Sequence, residues 1–358
     1  MANLFGALNL NDTDRVFNAT VGQRAIYDEV AKYLERHNAD LQAAISLFVE
    51  GTTSDYTERY FLAGGGRLQQ RGRSSAPGNV KASGSWDVAY PLYDYGAAVG
   101  GDDVSMAYMT AAQLSRHIQT VTIQDIGTVR FEILKALLNN TARTFVDPLW
   151  GSLSVKPLAN GDGTSYPPVI GSESEADDTH HLETNYAASA ISDTNNPIVT
   201  IVDELEEHFG VTTGGSNIVV FINNAQRAKI EALTDFSEVE DRFVRLGTTT
   251  DIATNLPSNL PGTVIGRCNG AWVVEWRWVP AAYLIGIHLD APAPLKMRID
   301  PADTGLGSGL QLVAREMDVP FDQSYWRHRF GIGVGNRLNG VVLECGTGGT
   351  YSIPSGYS

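Results

Sequence analysis

Residues 59–86 read RYFLAGGGRLQQRGRSSAPGNVKASGSW, a stretch with five basic residues and no acidic one. Around its centre, apolar side chains alternate with polar ones, and this period of two is typical of β-strands. The alternating residues are Tyr56, Tyr60 and Leu62 on one side and Trp86, Val88, Tyr90 and Leu92 on the other. The pattern predicts a β-hairpin whose tip, Ala63 to Ser85, far exceeds the roughly two to five residues of an ordinary hairpin turn.

This tip is rich in Gly, Ser, Gln and Arg and has almost no apolar side chain to bury. A long segment of this composition cannot offset its ordering entropy through a core of its own. We therefore expect a neighbouring subunit to supply its contacts.

The charge reverses further along the chain, where residues 157–226 contain eleven acidic residues and no Lys or Arg. Segregated blocks of opposite charge can steer one copy of a molecule onto the next. The alternative is two solvated faces without a partner. The candidate inter-subunit contacts are Arg67, Arg71, Arg73 and Lys81 on the basic tip, and Glu173, Glu175, Asp177 and Asp178 on the acidic block.

Helical patterns precede and follow the hairpin. Residues 1–19 are interpreted as an extended arm, after which Thr20 and Gln23 form a capping-box pattern that starts a helix. Asn38 is expected to cap a second short helix that ends at Gly51. The longest predicted helix lies between Ala111 and Arg143, where apolar residues recur at helical spacing.

A second, α+β unit is predicted from Asn196 onward, because Asn196 can cap a helix and Pro197 suits its first turn. Strands and a further helix, capped by Asn223 or Asn224, follow, and the chain closes with two alternating runs, Trp326–Val334 and Gly340–Glu344. The turn-forming residues between these runs predict that both strands close one sheet.

Composition excludes several classes of protein. With 358 residues, 43% of them apolar, the chain can form about two domains, and 36 glycines argue against an all-helical bundle. A net charge of −15 disfavours an extended grip on nucleic acid. No apolar run predicts a membrane span or a secretory signal, and Cys268 and Cys345 form no disulfide or zinc pattern, so a reducing cytoplasm fits best.

Two motifs imitate catalytic sites. Gly266-Arg267-Cys268-Asn269-Gly270 resembles a nucleophile elbow, but a strand rather than a helix is predicted to follow it, which favours an ordinary β-turn. A β-rich hydrolase that uses Cys268 nevertheless stays a rival hypothesis. Gly331–Gly335 lacks the third glycine and the helix of a nucleotide loop.

The metal-like cluster consists of Asp177, Asp178, His180, His181 and Glu183. Ligands so close in sequence point in divergent directions, whereas lasting metal sites usually draw on distant elements. We therefore expect no metal and no cofactor.

The order of these segments, together with the closing stretch WRHRFGIGVGNRLNGVVL at residues 326–343, resembles the major capsid proteins of tailed bacteriophages, of the Hong Kong 97 type. Encapsulin shells share that fold. The resemblance implies an α+β fold with an N-terminal arm, an extended β-hairpin loop, a spine helix, and peripheral and axial domains. The implied boundaries are an arm with its helices at 1–51, an extended loop at 52–98, a peripheral domain at 99–195 with its spine helix at about 113–143, an axial domain at 196–320, and a return to the peripheral domain at 321–358.

The resemblance implies a structural protein of the virion and no enzyme. Copies of the chain would assemble in the host cytoplasm as hexamers and pentamers into an icosahedral head that encloses double-stranded DNA without binding it specifically. It also implies a separate scaffolding protein and a portal protein, and leaves a decoration protein open. An encapsulin-like compartment around a cargo enzyme is the alternative.

Some members of this family crosslink a loop Lys to an Asn of a neighbour, with a Glu assisting. Lys81, Asn336, Asn339 and Glu344 are of the right types, but no spacing rule connects them, and we expect no crosslink.

Overall fold

The computed structural model describes residues 23–62, 73, 85–102, 110–170, 172, 174–209, 217–238, 261–318 and 321–358. Contacts divide the chain into two compact units, and each is described by itself. The first unit draws on residues up to Ile45, on Leu92–Glu132 and on Arg298–Gly331. The second unit holds Ser46–Pro91, Ile133–Met297 and Ile332–Ser358. The chain thus passes from one unit to the other several times.

The first unit contains helix α1 (Gln23–Ile45) and much of helix α2 (Ala111–Leu138). Its sheet places strand β15 (Phe321–Val334) between β4 (Tyr93–Asp102) and β14 (Gln311–Asp318), and both pairings are antiparallel. Val30, Leu34, Val121, Leu310 and Trp326 form its apolar core. Burial of such side chains contributes about 1.5–3 kcal/mol each and holds the two helices on the sheet.

Helix α1 corrects one prediction. The predicted break at Asn38 is wrong, because one helix runs from Gln23 to Ile45. The Asn38 amide donates to Leu310 O (3.1 Å) and accepts from Leu310 N (2.9 Å), so a tertiary contact occupies the side chain that was expected to cap a helix. Gly51 lies in strand β1 (Val49–Thr53) rather than at a helix end. Thr20 lies outside the described residues.

Helix α2 is the long helix predicted between Ala111 and Arg143, but it ends at Leu138. The Asn139 side chain accepts a hydrogen bond from Thr141 N (2.7 Å) and donates to Tyr357 O (3.2 Å). This local turn stops the helix, and strand β5 (Arg143–Asp147) follows and pairs with β6 (Gly151–Val155). Side-chain bonding of Asn to nearby backbone competes with helix continuation.

The predicted hairpin is confirmed in the second unit. Strands β2 (Thr57–Phe61) and β3 (Ser85–Ala89) pair in antiparallel register, with Phe61 opposite Ser85. Tyr60, Trp86, Val88 and Tyr90 are buried in a shared cluster, as the alternation predicted. Residues 63–84 between the strands, apart from Arg73, lie outside the described residues.

A seven-stranded mixed sheet forms the larger core of the second unit. Its order is β7 (His181–Glu183), β16 (Val341–Glu344), β12 (Tyr283–His288), β8 (Ile218–Ile222), β11 (Ala271–Glu275), β10 (Thr263–Cys268) and β9 (Phe236–Glu238). Helix α3 (Pro197–Phe209) packs on β12, where Gly286 is required because any Cβ there would collide with Ile201. Helix α4 (Asn224–Glu231) begins at the predicted cap Asn223.

The two closing strands do not pair with each other, which corrects the prediction that they close one sheet. Strand β15 belongs to a sheet with β13 (Leu295–Arg298), β14, β1 and β4, whereas β16 belongs to the seven-stranded sheet. The turn between them is therefore a crossing from one sheet to another. Arg337 and Asn339 hold this turn in place through hydrogen bonds to residues of the second unit.

Candidate inter-subunit surface

The candidate contact residues are only partly within the described structure. Arg67, Arg71, Lys81 and Glu173 lie outside it. Arg73 is an exposed turn residue, and Glu175 is exposed on the acidic block. The pairing of these residues across subunits stays a prediction.

Asp177 and Asp178 differ in what they contact. The Asp177 carboxylate accepts hydrogen bonds from Gly163 N (2.6 Å) and Asp178 N (2.9 Å), so it shapes an exposed loop. The Asp178 carboxylate turns inward, where its Oδ2 lies 2.6 Å from His208 Nε2 and 3.4 Å from His180 Nε2. Asp178 is therefore engaged within its own chain.

The environment of Asp178 is strongly acidic. Burial opposes ionisation of Asp178, yet the two neighbouring imidazoles hold its pKa well below its usual range. Burial, together with the charges of Asp178, Glu207 and Asp203, raises the pKa of Glu204 to about 8. The side chains of Glu204, Glu207 and His208 all come from the last turns of α3.

Sequence reasoning found only half of this cluster. His181 Nε2 donates to Leu137 O (2.9 Å), and Glu183 accepts from Gly348 N, so both point away from Asp178, as expected for adjacent residues. His208 and the glutamates of α3 were missed. The available signal was the spacing of Glu204 and His208, which places them on one helix face.

The hairpin β5–β6 carries an exposed apolar tip at its turn. Exposed fractions are 71% for Val146, 84% for Leu149 and 55% for Trp150. Asp147 Oδ1 accepts from both Leu149 N (2.9 Å) and Trp150 N (3.1 Å), which fixes the turn. The Trp150 ring stacks on Tyr56 at 4.3 Å, so the side chains are held in place while their outer surface faces solvent. Clustered exposed apolar residues mark interaction surfaces.

The crossing turn after β15 is buried and polar. The Arg337 guanidinium is fully buried and donates to Pro157 O (2.7 Å), Leu158 O (3.3 Å) and Asn160 Oδ1 (2.9 Å). It also donates to Asp162 Oδ1 (3.3 Å) and Thr164 Oγ1 (3.1 Å), which completes the five donors of its fork. Arg337 thereby anchors the returning chain in the second unit.

The candidate crosslink asparagines lie in the same turn and are fully buried. The Asn336 amide donates to Pro292 O (2.9 Å), and the Asn339 amide donates to His288 O (2.9 Å) and Pro292 O (2.8 Å). The Asn339 carbonyl accepts from His288 N (2.9 Å). These bonds commit both amides to the turn, and the absence of a crosslink stays a prediction.

The look-alike of a nucleophile elbow is a β-turn, as predicted. Cys268 ends β10, Ala271 opposite it begins β11, and Asn269 and Gly270 both adopt positive φ (48° and 84°), as the tightest hairpin turns require. The Cys268 side chain is buried in the core, and burial raises the pKa of its thiol. A buried, protonated thiol is a poor nucleophile.

Comparison with solved structures identifies the fold of this chain. No protein-family model matches the sequence, and none of the curated proteins matches it significantly. Among solved structures, the chain is similar to one from Mycobacterium phage Patience, with 18% identity, a TM-score of 0.63, and coverage of 95% of this chain and 93% of that one. It is also similar to the asymmetric unit of the bacteriophage PhiM1 mature capsid, at 10% identity, a TM-score of 0.49, and coverage of 82% and 84%. The first similarity carries the argument because it spans nearly both chains.

The chain has the Hong Kong 97-type capsid fold. Strands β2 and β3 lie within the segment where the resemblance predicts an extended loop, and α2 lies where it predicts a spine helix. Within the described residues, no helix combines the length and the apolar character that crossing a bilayer needs.

Proposed function

We propose that this chain is a major capsid protein, which assembles with itself as hexamers and pentamers into the icosahedral head of a tailed phage. The observation that carries the proposal is the capsid fold, which matches a phage structure over 95% of the chain. The domain boundaries implied by the resemblance, including an axial domain at 196–320, are part of this proposal. The mature protein would reside in the virion after assembly in the host cytoplasm.

The surface chemistry supports assembly with further copies. The apolar tip of Val146, Leu149 and Trp150 exposes side chains that a neighbouring subunit would cover. The basic residues 59–81 and the acidic residues 157–226 offer complementary charges. The net charge of −15 suits an enclosure that holds DNA without gripping it.

A scaffolding protein and a portal protein are proposed partners that follow from the capsid function alone, which leaves a decoration protein open. An encapsulin-like shell around a cargo enzyme has the same fold and is the second candidate. The long hairpin of residues 52–98 favours the phage head.

The test is electron microscopy and light scattering of the purified protein. Closed shells of megadalton mass, or the hexamers and pentamers that build them, are expected. A stable small oligomer would contradict the proposal, and shells that co-purify with one stoichiometric enzyme would favour the encapsulin alternative.

The apolar tip allows a sharper test of the surface. Changing Leu149 to Asp should leave the subunit folded, since substitutions at such exposed positions usually change stability by less than about 0.5 kcal/mol. Burying a leucine between subunits contributes about 1.5–3 kcal/mol at every copy of the contact, so Leu149→Asp should abolish shells. Leu149→Met, which keeps the apolar surface, is the matched control. Normal shells from Leu149→Asp would show that the tip faces solvent in the particle.

A further inference from the structure

Two separate segments bring metal-ligating side chains together in the second unit. Asp178 and His180 lie just before strand β7, and His208 lies near the end of helix α3. One donor atom from each of these three residues lies within 4.8 Å of the other two. Glu204 and Glu207 form a second such trio with Asp178. The donors thus come from a loop and a helix that are distant in sequence, as in lasting metal sites.

His180 has a buried ring nitrogen without a hydrogen-bond partner. Its Nδ1 lies 3.0 Å from Gly340 O, and since a carbonyl only accepts, Nδ1 carries the proton. In the neutral ring, Nε2 is then a lone-pair acceptor. This atom is fully buried, makes no hydrogen bond and faces Asp178 Oδ2 at 3.4 Å. A lone pair and a carboxylate oxygen that face each other repel unless a proton or a metal ion lies between them.

The hydrogen bond at Nδ1 is itself typical of a metal ligand. Histidines that bind metals usually donate their other ring N–H to a carbonyl or carboxylate, which fixes the ring and its tautomer. Gly340 O provides this contact for His180.

The distances fit a tetrahedral ion. Ligand atoms about 2.1 Å from a tetrahedral Zn²⁺ are about 3.4 Å from each other. His180 Nε2 and Asp178 Oδ2 already have this separation. His208 Nε2 donates a hydrogen bond to Asp178 Oδ2 at 2.6 Å; to share the ion it would release this proton to solvent and move outward by about 0.8 Å. Glu207 Oε1 lies 3.5 Å from His208 Nε2, and its side chain is 42% exposed, which gives an ion access from solvent.

The local charge also calls for a cation. Residues 157–226 supply no Lys or Arg, and the carboxylates of Asp178 and Glu207 lie close together. A divalent ion would neutralise this charge. Two imidazoles with carboxylates favour Zn²⁺ over Mg²⁺ or Ca²⁺, which prefer ligand sets made of oxygen alone.

We propose that Asp178, His180 and His208 bind a structural Zn²⁺ ion, with Glu207 as the fourth ligand. The ion ties the loop before β7 to the end of α3. This site is independent of the capsid function, since it would stabilise the subunit whether or not shells form.

The test uses the full-length protein, stripped with a chelator, dialysed against ZnCl₂ and then against buffer. Bound zinc is measured by inductively coupled plasma mass spectrometry. The melting temperature is measured by a thermal scan with and without zinc. We expect one zinc per chain and a higher melting temperature with zinc. The Asp178→Asn and His208→Gln variants should no longer bind zinc, whereas the neighbouring Asp177→Asn variant should still bind one zinc per chain.

Glu207→Gln covers the case in which a buried variant fails to fold, because Glu207 is partly exposed. Its zinc affinity should fall at least tenfold, with an unchanged circular dichroism spectrum. Co²⁺ in the wild-type protein should give the absorption bands of a tetrahedral site. Absence of stoichiometric zinc in the wild type, or equal loss of zinc in Asp177→Asn and Asp178→Asn, would overturn the proposal.

Discussion

Replacing Arg337 with methionine should destabilise the subunit strongly, although methionine keeps an unbranched stem like that of arginine. The guanidinium is fully buried, and all of its donors are used. Methionine fills the space of the stem but offers no donor. The carbonyls of Pro157 and Leu158, both buried residues, then lose the guanidinium as a partner.

The magnitude follows from those lost contacts. A buried acceptor left without a partner costs about 1–3 kcal/mol, and two carbonyls are affected. Asp162 loses its bond to Arg337 but keeps Lys156 at 3.5 Å, so its contribution is smaller. We expect Arg337→Met to lower the free energy of unfolding by about 4 kcal/mol, within the range for breaking a buried ion pair. Arg337→Lys should cost about half as much, because an ammonium group cannot reproduce the planar fork.

The assay is urea unfolding of unassembled subunits, followed by tryptophan fluorescence. Arg59→Met is the matched control, because Arg59 also forms a bidentate pair, with Asp87, but on an exposed surface. Exposed pairs contribute little, so its midpoint should barely change. Equal midpoint shifts for the two variants would refute the reasoning that burial makes the Arg337 contacts important.

The pH dependence provides a second readout. Burial alone would raise the pKa of Asp162, but Thr164 and Arg337 lower it to about 2. A depressed carboxyl pKa stabilises the fold above the unfolded value of about 3.9, and this contribution is lost as the pH falls towards 2. Arg337→Met should therefore lose less stability than the wild type between pH 4 and pH 2.

Three predictions concern assembly. Replacing residues 63–84 with a two-residue turn should leave a folded subunit that forms no shells, because Phe61 and Ser85 are already paired across the hairpin; shells of normal size in electron micrographs would contradict this. Changing Arg67, Arg71 and Arg73 together to Glu should block assembly at low salt. Each single change should have a mild effect, because an exposed ion pair contributes only about 0.2–1 kcal/mol. An unaffected particle yield by light scattering would count against charge docking. Particles boiled in detergent should run as one band near 38.7 kDa, since both candidate asparagines are buried; a ladder that Lys81→Arg collapses would demonstrate a crosslink.

Local signals predicted much of the fold. The alternation around residues 59–86 predicted the β2–β3 hairpin, Asn196-Pro197 predicted the start of α3, and Asn223 predicted the cap of α4. These features depend on neighbours along the chain, because strand alternation and helix caps are set within a few residues. The order of segments, by its resemblance to phage capsid proteins, also predicted the capsid fold.

At two positions where the structure corrected the sequence, a distant partner decided the outcome. Asn38 was expected to cap a helix, but Leu310 binds its side chain and the helix continues. The turn after Val334 was expected to join two paired strands, but Arg337 and Asn339 bond to residues 157–164 and 288–292 instead. A side chain with several possible partners takes the one that tertiary packing brings within reach.

The cluster around Asp178 shows the same division. The sequence by itself determined that residues 157–226 are acidic and that Asp178 and His180 are close to each other. Only the tertiary structure decided that His208 and Glu207 join them, while His181 and Glu183 turn away. The physical reason is that the direction of neighbouring side chains is set locally, by the backbone conformation. The approach of α3 to the loop before β7 is set instead by the packing of the apolar face of α3 on its sheet.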